Sequence, residues 1–169
     1  MTESGPQAEP TLRPANPNIE TFLPQSTVLI VDDNPQNVEL LCAFLESLAV
    51  KIVTAGDGIE ALRKVTEHNP DLILLDVMMP HMSGFQVCQR LKGDAKTRDI
   101  QVLMVTALNE LGDIERATEC GTDDFVSKPV NKFELLTRVK SLLRVRHLKN
   151  ELERALSYLN EMEQDEETP

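Results

Sequence analysis

Asp71-Leu72-Ile73-Leu74-Leu75-Asp76-Val77-Met78-Met79-Pro80 is a short apolar run bracketed by acids and closed by proline. Consecutive aliphatic residues of this kind read as a strand buried on both faces, the habit of strands in a parallel sheet. Asp76 falls where such a strand leaves its sheet. Pro80 ends regular pairing, and Ser83-Gly84 opens the next segment. Open α/β sheets bind ligands outside the carboxyl ends of their strands. An acid at that place serves either as a turn residue or as a functional group. The other strand ends decide between the two.

Working outward, residues 27–31 (TVLIV) form an equivalent run that ends at Asp32-Asp33-Asn34-Pro35. Asn34 suits a helix cap and Pro35 the first turn, and Val38, Leu41, Cys42, Leu45 and Leu48 follow at helical spacing. Residues 51–55 are a second strand. Gly56-Asp57-Gly58 then leads into a helix expected to place Ile59, Leu62 and Val65 on one face, stopped by Asn69-Pro70. Beyond the central run, Ser83-Gly84 starts a helix with Phe85, Cys88 and Leu91 inward, and a polar loop covers residues 94–99. Residues 100–106 are the fourth strand. A short helix over 110–120 carries Leu111, Ile114 and Ala117, and Gly121 stops it. Residues 124–127 are the fifth strand, followed by Lys128-Pro129 and a long helix from about Asn131.

Five strands alternating with five helices predict a doubly wound α/β fold, its parallel sheet covered on both faces and its crossovers right-handed. The carboxyl ends of its strands then carry Asp32-Asp33, Asp76, Thr106 and Lys128. Turn chemistry alone does not explain that coincidence, so Asp76 reads as functional.

The 169 residues are 41% apolar and 27% charged, an ordinary globular composition with one core plus extensions. A net charge of −11 argues against non-specific binding to nucleic acid or to anionic membrane. Cys42, Cys88 and Cys120 are far apart and form no CxxC pair; they read as small core or boundary residues in a reducing compartment. His68, His81 and His147 show no metal-ligand spacing. Without a signal-peptide pattern or a long apolar run, the expected location is cytoplasmic. Residues 1–26, rich in proline and poor in apolar groups, are expected to be a disordered tail, and 164–169 an acidic disordered end.

The last helix continues past the domain. Val145, Leu148, Leu152, Ala155, Leu159 and Met162 recur at spacings of three and four, a heptad a/d pattern over nearly three heptads that predicts a coiled-coil extension over residues 146–163. A lone helix cannot bury that stripe. The preferred reading is a coiled coil, most simply a parallel homodimer. The other is a helix folded back on its own domain. Three heptads are short and Ala155 at a d position weakens them further, so the coil alone would be weak.

Three carboxylates at one edge repel unless a cation joins them. Hard oxygen donors with a partly open shell suit Mg²⁺, which keeps waters and often holds phosphates as well. A carboxylate can form an acyl phosphate, Lys128 supplies charge for phosphoryl oxygens and Thr106 a hydroxyl. These are the parts of a phosphoryl-transfer site.

The chain resembles a bacterial two-component response-regulator receiver domain over residues 27–145. The resemblance rests on Val31-Asp32-Asp33, Asp57-Gly58-Ile59-Glu60-Ala61-Leu62, and Asp71 to Asp76 with Met79-Pro80 and Ser83-Gly84. It rests further on Val105-Thr106-Ala107, Gly121-Thr122-Asp123-Asp124-Phe125 and Lys128-Pro129. Each motif is weak alone; their order and spacing together are specific. The resemblance implies a flavodoxin-like sheet of strand order 2-1-3-4-5. Asp76 would be the phosphoacceptor, taking its phosphoryl group from a sensor histidine kinase. Asp33 and Asp76 would ligate Mg²⁺, Asp32 directly or through water, and the Met78 backbone carbonyl would complete the protein ligands. Lys128 would pair with Asp76 at rest and with the phosphoryl group afterwards. Thr106 and Phe125 would be the switch pair, and Lys128-Pro129 a cis peptide. Thr122 stands where such domains usually carry Ala, with no mechanistic consequence. Phe125 in place of the frequent Tyr leaves a switch that works by packing.

The expected function is a phosphorylation-activated switch that is not an enzyme on external substrates. It would read out through its fourth helix, fifth strand and fifth helix, and through the coil. The alternative is a receiver fragment of a larger regulator with a cyclase, phosphodiesterase or phosphatase output domain. Haloacid-dehalogenase-like phosphatases use similar parts, but with Asp-x-Asp at the first strand where this chain has adjacent Asp32-Asp33. A scaffold with an idle pocket fits the full set of pocket residues poorly. No direct DNA binding and no membrane contact are expected.

Overall fold

The computed structural model describes residues 25–107 and 111–166. Its elements run in strict alternation: β1 (Ser26–Val31), α1 (Pro35–Leu45), β2 (Val50–Ala55), α2 (Gly58–His68), β3 (Leu72–Leu75), α3 (Gly84–Gly93), β4 (Gln101–Thr106), α4 (Leu111–Glu119), β5 (Asp124–Ser127) and α5 (Lys132–Glu166). The five strands form one parallel sheet of order β2-β1-β3-β4-β5.

Local chemistry sets the helix starts. Asn34 caps α1 through its side-chain oxygen and the Gln36 amide, with Pro35 in the first turn. Asp57 does the same for α2 through the Glu60 amide. Ser83 and Gln86 close a reciprocal capping box at α3, and Asn131 accepts from the Glu134 amide at α5. Asn69 ends α2 in the left-handed region that asparagine tolerates.

Alternate residues of the strands point to opposite faces, so each face carries its own core. On one, Leu29, Val31, Ile73, Leu75 and Met104 pack with Ala61 and Val65 of α2 and Val87, Cys88 and Leu91 of α3. On the other, Val28, Ile30, Leu74, Leu103 and Val126 pack with Leu41 and Leu45 of α1 and Leu135, Val139 and Leu143 of α5. β3 and β4 are buried throughout. Among the described residues, no helix is long and apolar enough to cross a membrane.

Several expectations need correction. Ile59 is 66% exposed, and α2 instead turns Gly58, Ala61 and Val65 inward with Leu62 half-buried. The close approach of Val87 and Met82 to the Gly58 Cα explains why the small residue, not the large one, faces the core. Ile114 is likewise exposed, and Ala117 is buried among the described side chains of α4, outside which Leu111 lies. Ser26 belongs to β1 and not to the tail; residues 1–24 of the expected tail lie outside the described residues. α5 runs to Glu166, into the stretch 164–169 expected to be a disordered acidic end, because glutamate and glutamine sustain a helix well. Residues 167–169 lie outside the described residues.

α5 is one unbroken helix that does not fold back. Val145, Leu148, Leu152, Leu159 and Met162 are all exposed, and Leu156 and Tyr158 widen the apolar surface. Its departure from the sheet is pinned by Asp71, at the foot of β3. That carboxylate accepts the Thr27 amide at 2.8 Å and faces the Arg146 guanidinium at 3.8 Å.

Candidate functional site

Parallel pairing brings the carboxyl ends of β1, β3 and β4 side by side. The Asp76 amide donates to the Val31 carbonyl at 2.9 Å, and the Lys128 amide to the Thr106 carbonyl at 3.0 Å. Asp32, Asp76, Thr106 and Lys128 therefore meet at one edge. Carboxylate oxygens of Asp32, Asp33 and Asp76 lie within 4.8 Å of one another, with Asp32 and Asp76 buried and Asp33 exposed.

Asp32 is 2% exposed and fully partnered. Its Oδ1 accepts the Asn34 amide at 2.9 Å, the Asn37 amide group bridges both oxygens at 3.2 and 3.1 Å, and Lys128 Nζ donates to Oδ2 at 2.9 Å. Asn37 is the contributor that the sequence reading missed. Its position in the first turn after the acid pair was the available signal.

Asp76 is 4% exposed yet lightly held, with the Met78 amide at 3.4 Å and Lys128 Nζ at 3.5 Å from Oδ1. Burial raises its carboxyl above the ordinary value; Lys128 opposes this, and the Asp32 charge adds to it. The lysine expected to pair with Asp76 thus sits closer to Asp32. The reason is geometric: Asp32 presents two oxygens already oriented by Asn34 and Asn37.

The Met78 side chain points to solvent, which leaves its backbone beside the cluster as the part able to serve the site. Thr106 is buried, and Phe125 is half-buried against the same core as Ile73 and Leu75. Lys128-Pro129 is a cis peptide. Gly84 is required where it stands: a Cβ there would collide with the Asp76 carbonyl, so the α3 start can close over the end of β3 only without a side chain.

Chemically, this is a cluster of hard oxygen donors beside one ammonium, with buried Thr106 at the end of the neighbouring strand. The donor set fits a small divalent cation, because three like charges so close demand a counter-charge and Lys128 supplies only one.

Comparison with known proteins agrees with this geometry. The profile of the response regulator receiver domain matches residues 28–140. Response regulator PleD of Caulobacter vibrioides is 46% identical over 125 residues, 74% of this chain and 28% of that protein. The DNA-binding dual master transcriptional regulator RpaA of Synechocystis is 43% identical over 117 residues, 69% of this chain and 48% of that protein. The chain thus spans half or less of the length of these relatives. Among solved structures, the signal receiver domain of a signal transduction histidine kinase from Syntrophus aciditrophicus aligns at TM-score 0.67 with 39% identity, covering 70% of this chain and 90% of that one. The receiver domain of sensor histidine kinase PA1611 from Pseudomonas aeruginosa, solved with a magnesium ion in its active site cleft, aligns at TM-score 0.65 with 28% identity, covering 71% and 98%. With the sheet order, the acid cluster and the profile in agreement, the chain belongs to the response regulator receiver domain family.

Proposed function

We propose that this chain is a phosphorylation-activated switch whose phosphoacceptor is Asp76. The observation that carries the reading is the state of that carboxylate: buried, lightly hydrogen-bonded, and flanked by two acids and a lysine. A nucleophile must be accessible to one incoming group yet not locked by strong partners, and Asp76 differs from Asp32 in this respect.

The donor for this chain is a phosphohistidine on a sensor histidine kinase. An Asp76 oxygen bonds to phosphorus, the phosphorus–nitrogen bond breaks, and the imidazole leaves with its electron pair. Asp33, Asp76 and the Met78 carbonyl would hold Mg²⁺, with Asp32 ligating directly or through water. When bound, the ion offsets charge on the phosphoryl oxygens. Lys128 moves from the carboxylates to the phosphoryl group, and the Thr106 hydroxyl donates to another phosphoryl oxygen. Phe125 packs inward into the space Thr106 vacates. Phosphorylation therefore shifts a population between two packings of α4, β5 and α5.

α5 carries that shift into the exposed stripe of Val145, Leu148, Leu152, Ala155, Leu159 and Met162, which we assign to a parallel homodimeric coil. An output domain beyond the receiver, of the cyclase, phosphodiesterase or phosphatase type expected from the sequence, is the second reading; that this chain matches only 28% of PleD and 48% of RpaA favours a longer regulator without choosing the output type. The test is labelling with acetyl phosphate in Mg²⁺. Wild type acquires one acid-stable, base-labile phosphoryl group; Asp76→Asn, still folded by circular dichroism, acquires none. Equal labelling of the variant sinks the assignment.

A further inference from the structure

Cys88 and Cys120 lie 32 positions apart in sequence and meet in the core between α3 and the end of α4. Cys88 Sγ donates to the Cys120 carbonyl at 3.3 Å, and Cys120 Sγ to the Ala117 carbonyl at 3.0 Å. The Cys88 thiol therefore lies directly against Cys120. One buried cysteine is explained by packing alone. Two cysteines in direct contact from different elements are a candidate dithiol, and the third cysteine, Cys42, sits apart in α1 on the other face of the sheet.

The surroundings separate the roles of the pair. Both are buried, but Cys120, at 4% exposed, borders an open groove of about 360 Å³ between α3 and α4, with Phe85, Gln89 and Arg116, whereas Cys88 is fully enclosed. Hydrogen bonding from Cys88 lowers the Cys120 thiol below its ordinary value, and that same bond, with burial, raises Cys88. Thiolate character at the groove and a protonated partner behind it are the arrangement of an attacking and a resolving cysteine.

We propose that Cys88 and Cys120 form a peroxide-oxidisable modification site, whose intramolecular disulfide ties the carboxyl end of α4 to α3. The Cys120 thiolate attacks one oxygen of a hydroperoxide, breaking the oxygen–oxygen bond and giving a sulfenic acid. The Cys88 sulfur then bonds to the Cys120 sulfur, loses its proton, and expels the hydroxyl as water. With hydrogen peroxide, two thiols lose two electrons and two protons, and the oxidant ends as two waters. The tie falls one residue before Gly121, whose positive φ of 83° forms the turn from α4 into β5. Fixing that point limits rotation of α4 about its own end. The assignment is independent of the role proposed for Asp76.

The experiment treats the native full chain with hydrogen peroxide and counts thiols after denaturation. The expected result is loss of two of the three thiols, a monomer lighter by two hydrogens, a linked Cys88–Cys120 peptide pair on mapping, and full recovery with dithiothreitol. Hydrogen exchange of α4 amides then slows in the oxidised chain. Cys120→Ala leaves Cys88 unreacted, while Cys88→Ala stops Cys120 at the sulfenic or sulfinic stage. If a variant unfolds, the wild-type mapping alone decides. Cys42 oxidising first, a sulfinic Cys120 in wild type, linked dimers, or unchanged α4 exchange in the disulfide form overturns the proposal.

Discussion

Lys128 Nζ donates to Asp32 Oδ2 at 2.9 Å across 96 residues of sequence, and this bond holds the β5–α5 turn to the end of β1. The same ammonium is 3.5 Å from Asp76. Lys128→Ala therefore leaves three carboxylates facing one another with no cation. Lys128 is partly solvated, so the cost falls below that of a fully buried pair, at about 1–3 kcal/mol in metal-free buffer. Mg²⁺ restores the missing charge, so it raises the melting temperature of the variant more than that of wild type. Thermal unfolding with EDTA and with Mg²⁺ checks both halves. Equal gains in the two proteins would show that ion and lysine do not share the same carboxylates.

Asp76 makes stability depend on pH in an unusual direction. Burial holds its folded carboxyl above the ordinary value of 3.8, so the folded chain binds that proton more tightly than the unfolded one. Its contribution is fully favourable below 3.8 and is lost as pH rises through the folded value. Asp76→Asn removes the ionisation. Without metal, the variant therefore matches wild type in acid and exceeds it in melting temperature at neutral pH. Saturating Mg²⁺ reverses the order: at a hundredfold excess over Kd it adds about 2.7 kcal/mol to wild type and far less to the variant.

The sequence disclosed this edge because each strand is a local apolar run with its polar group at the same end, and parallel pairing then does the assembly. The heptad stripe was legible for the same local reason. What escaped notice depends on contacts distant in sequence or on small side chains. Ile59 matched the helical period, but the core takes the Gly58 and Ala61 face because Val87 and Met82 crowd α2 too closely for a larger residue. The choice of Lys128 for Asp32 over Asp76 hinges on Asn37 orienting the acid. The Asp71–Arg146 tie joins residues 75 positions apart, at 3.8 Å, and no local pattern marks it.

Gly84 ties α3 to the site through the backbone. A Cβ at this position must displace the Asp76 carbonyl, so Gly84→Ala destabilises the fold by about 1–3 kcal/mol, as overpacking does. The displaced strand end also moves the Asp76 carboxylate relative to Asp32. Mg²⁺ affinity, measured by calorimetry, is expected to fall about tenfold, the scale of a lost supporting contact. Gly93→Ala has open space around its Cβ and serves as the control that leaves both properties unchanged.

Leu152 tests the helix extension separately from the domain. It is exposed and lies two turns beyond Val145, past the last residues packed against the sheet, Leu142 and Leu143. Leu152→Glu therefore changes the unfolding free energy of the globular part by less than about 0.5 kcal/mol. In a paired helix the same charge would face its own copy across a dry seam and split the pair. Sedimentation should show self-association in wild type, strengthened by a beryllofluoride phosphate mimic, and a monomer in the variant under both conditions. Because Asp71 holds Arg146 at the foot of β3, whose other end carries Asp76, a response to the mimic that survives Leu152→Glu would place the partner surface on the domain and not on the coil.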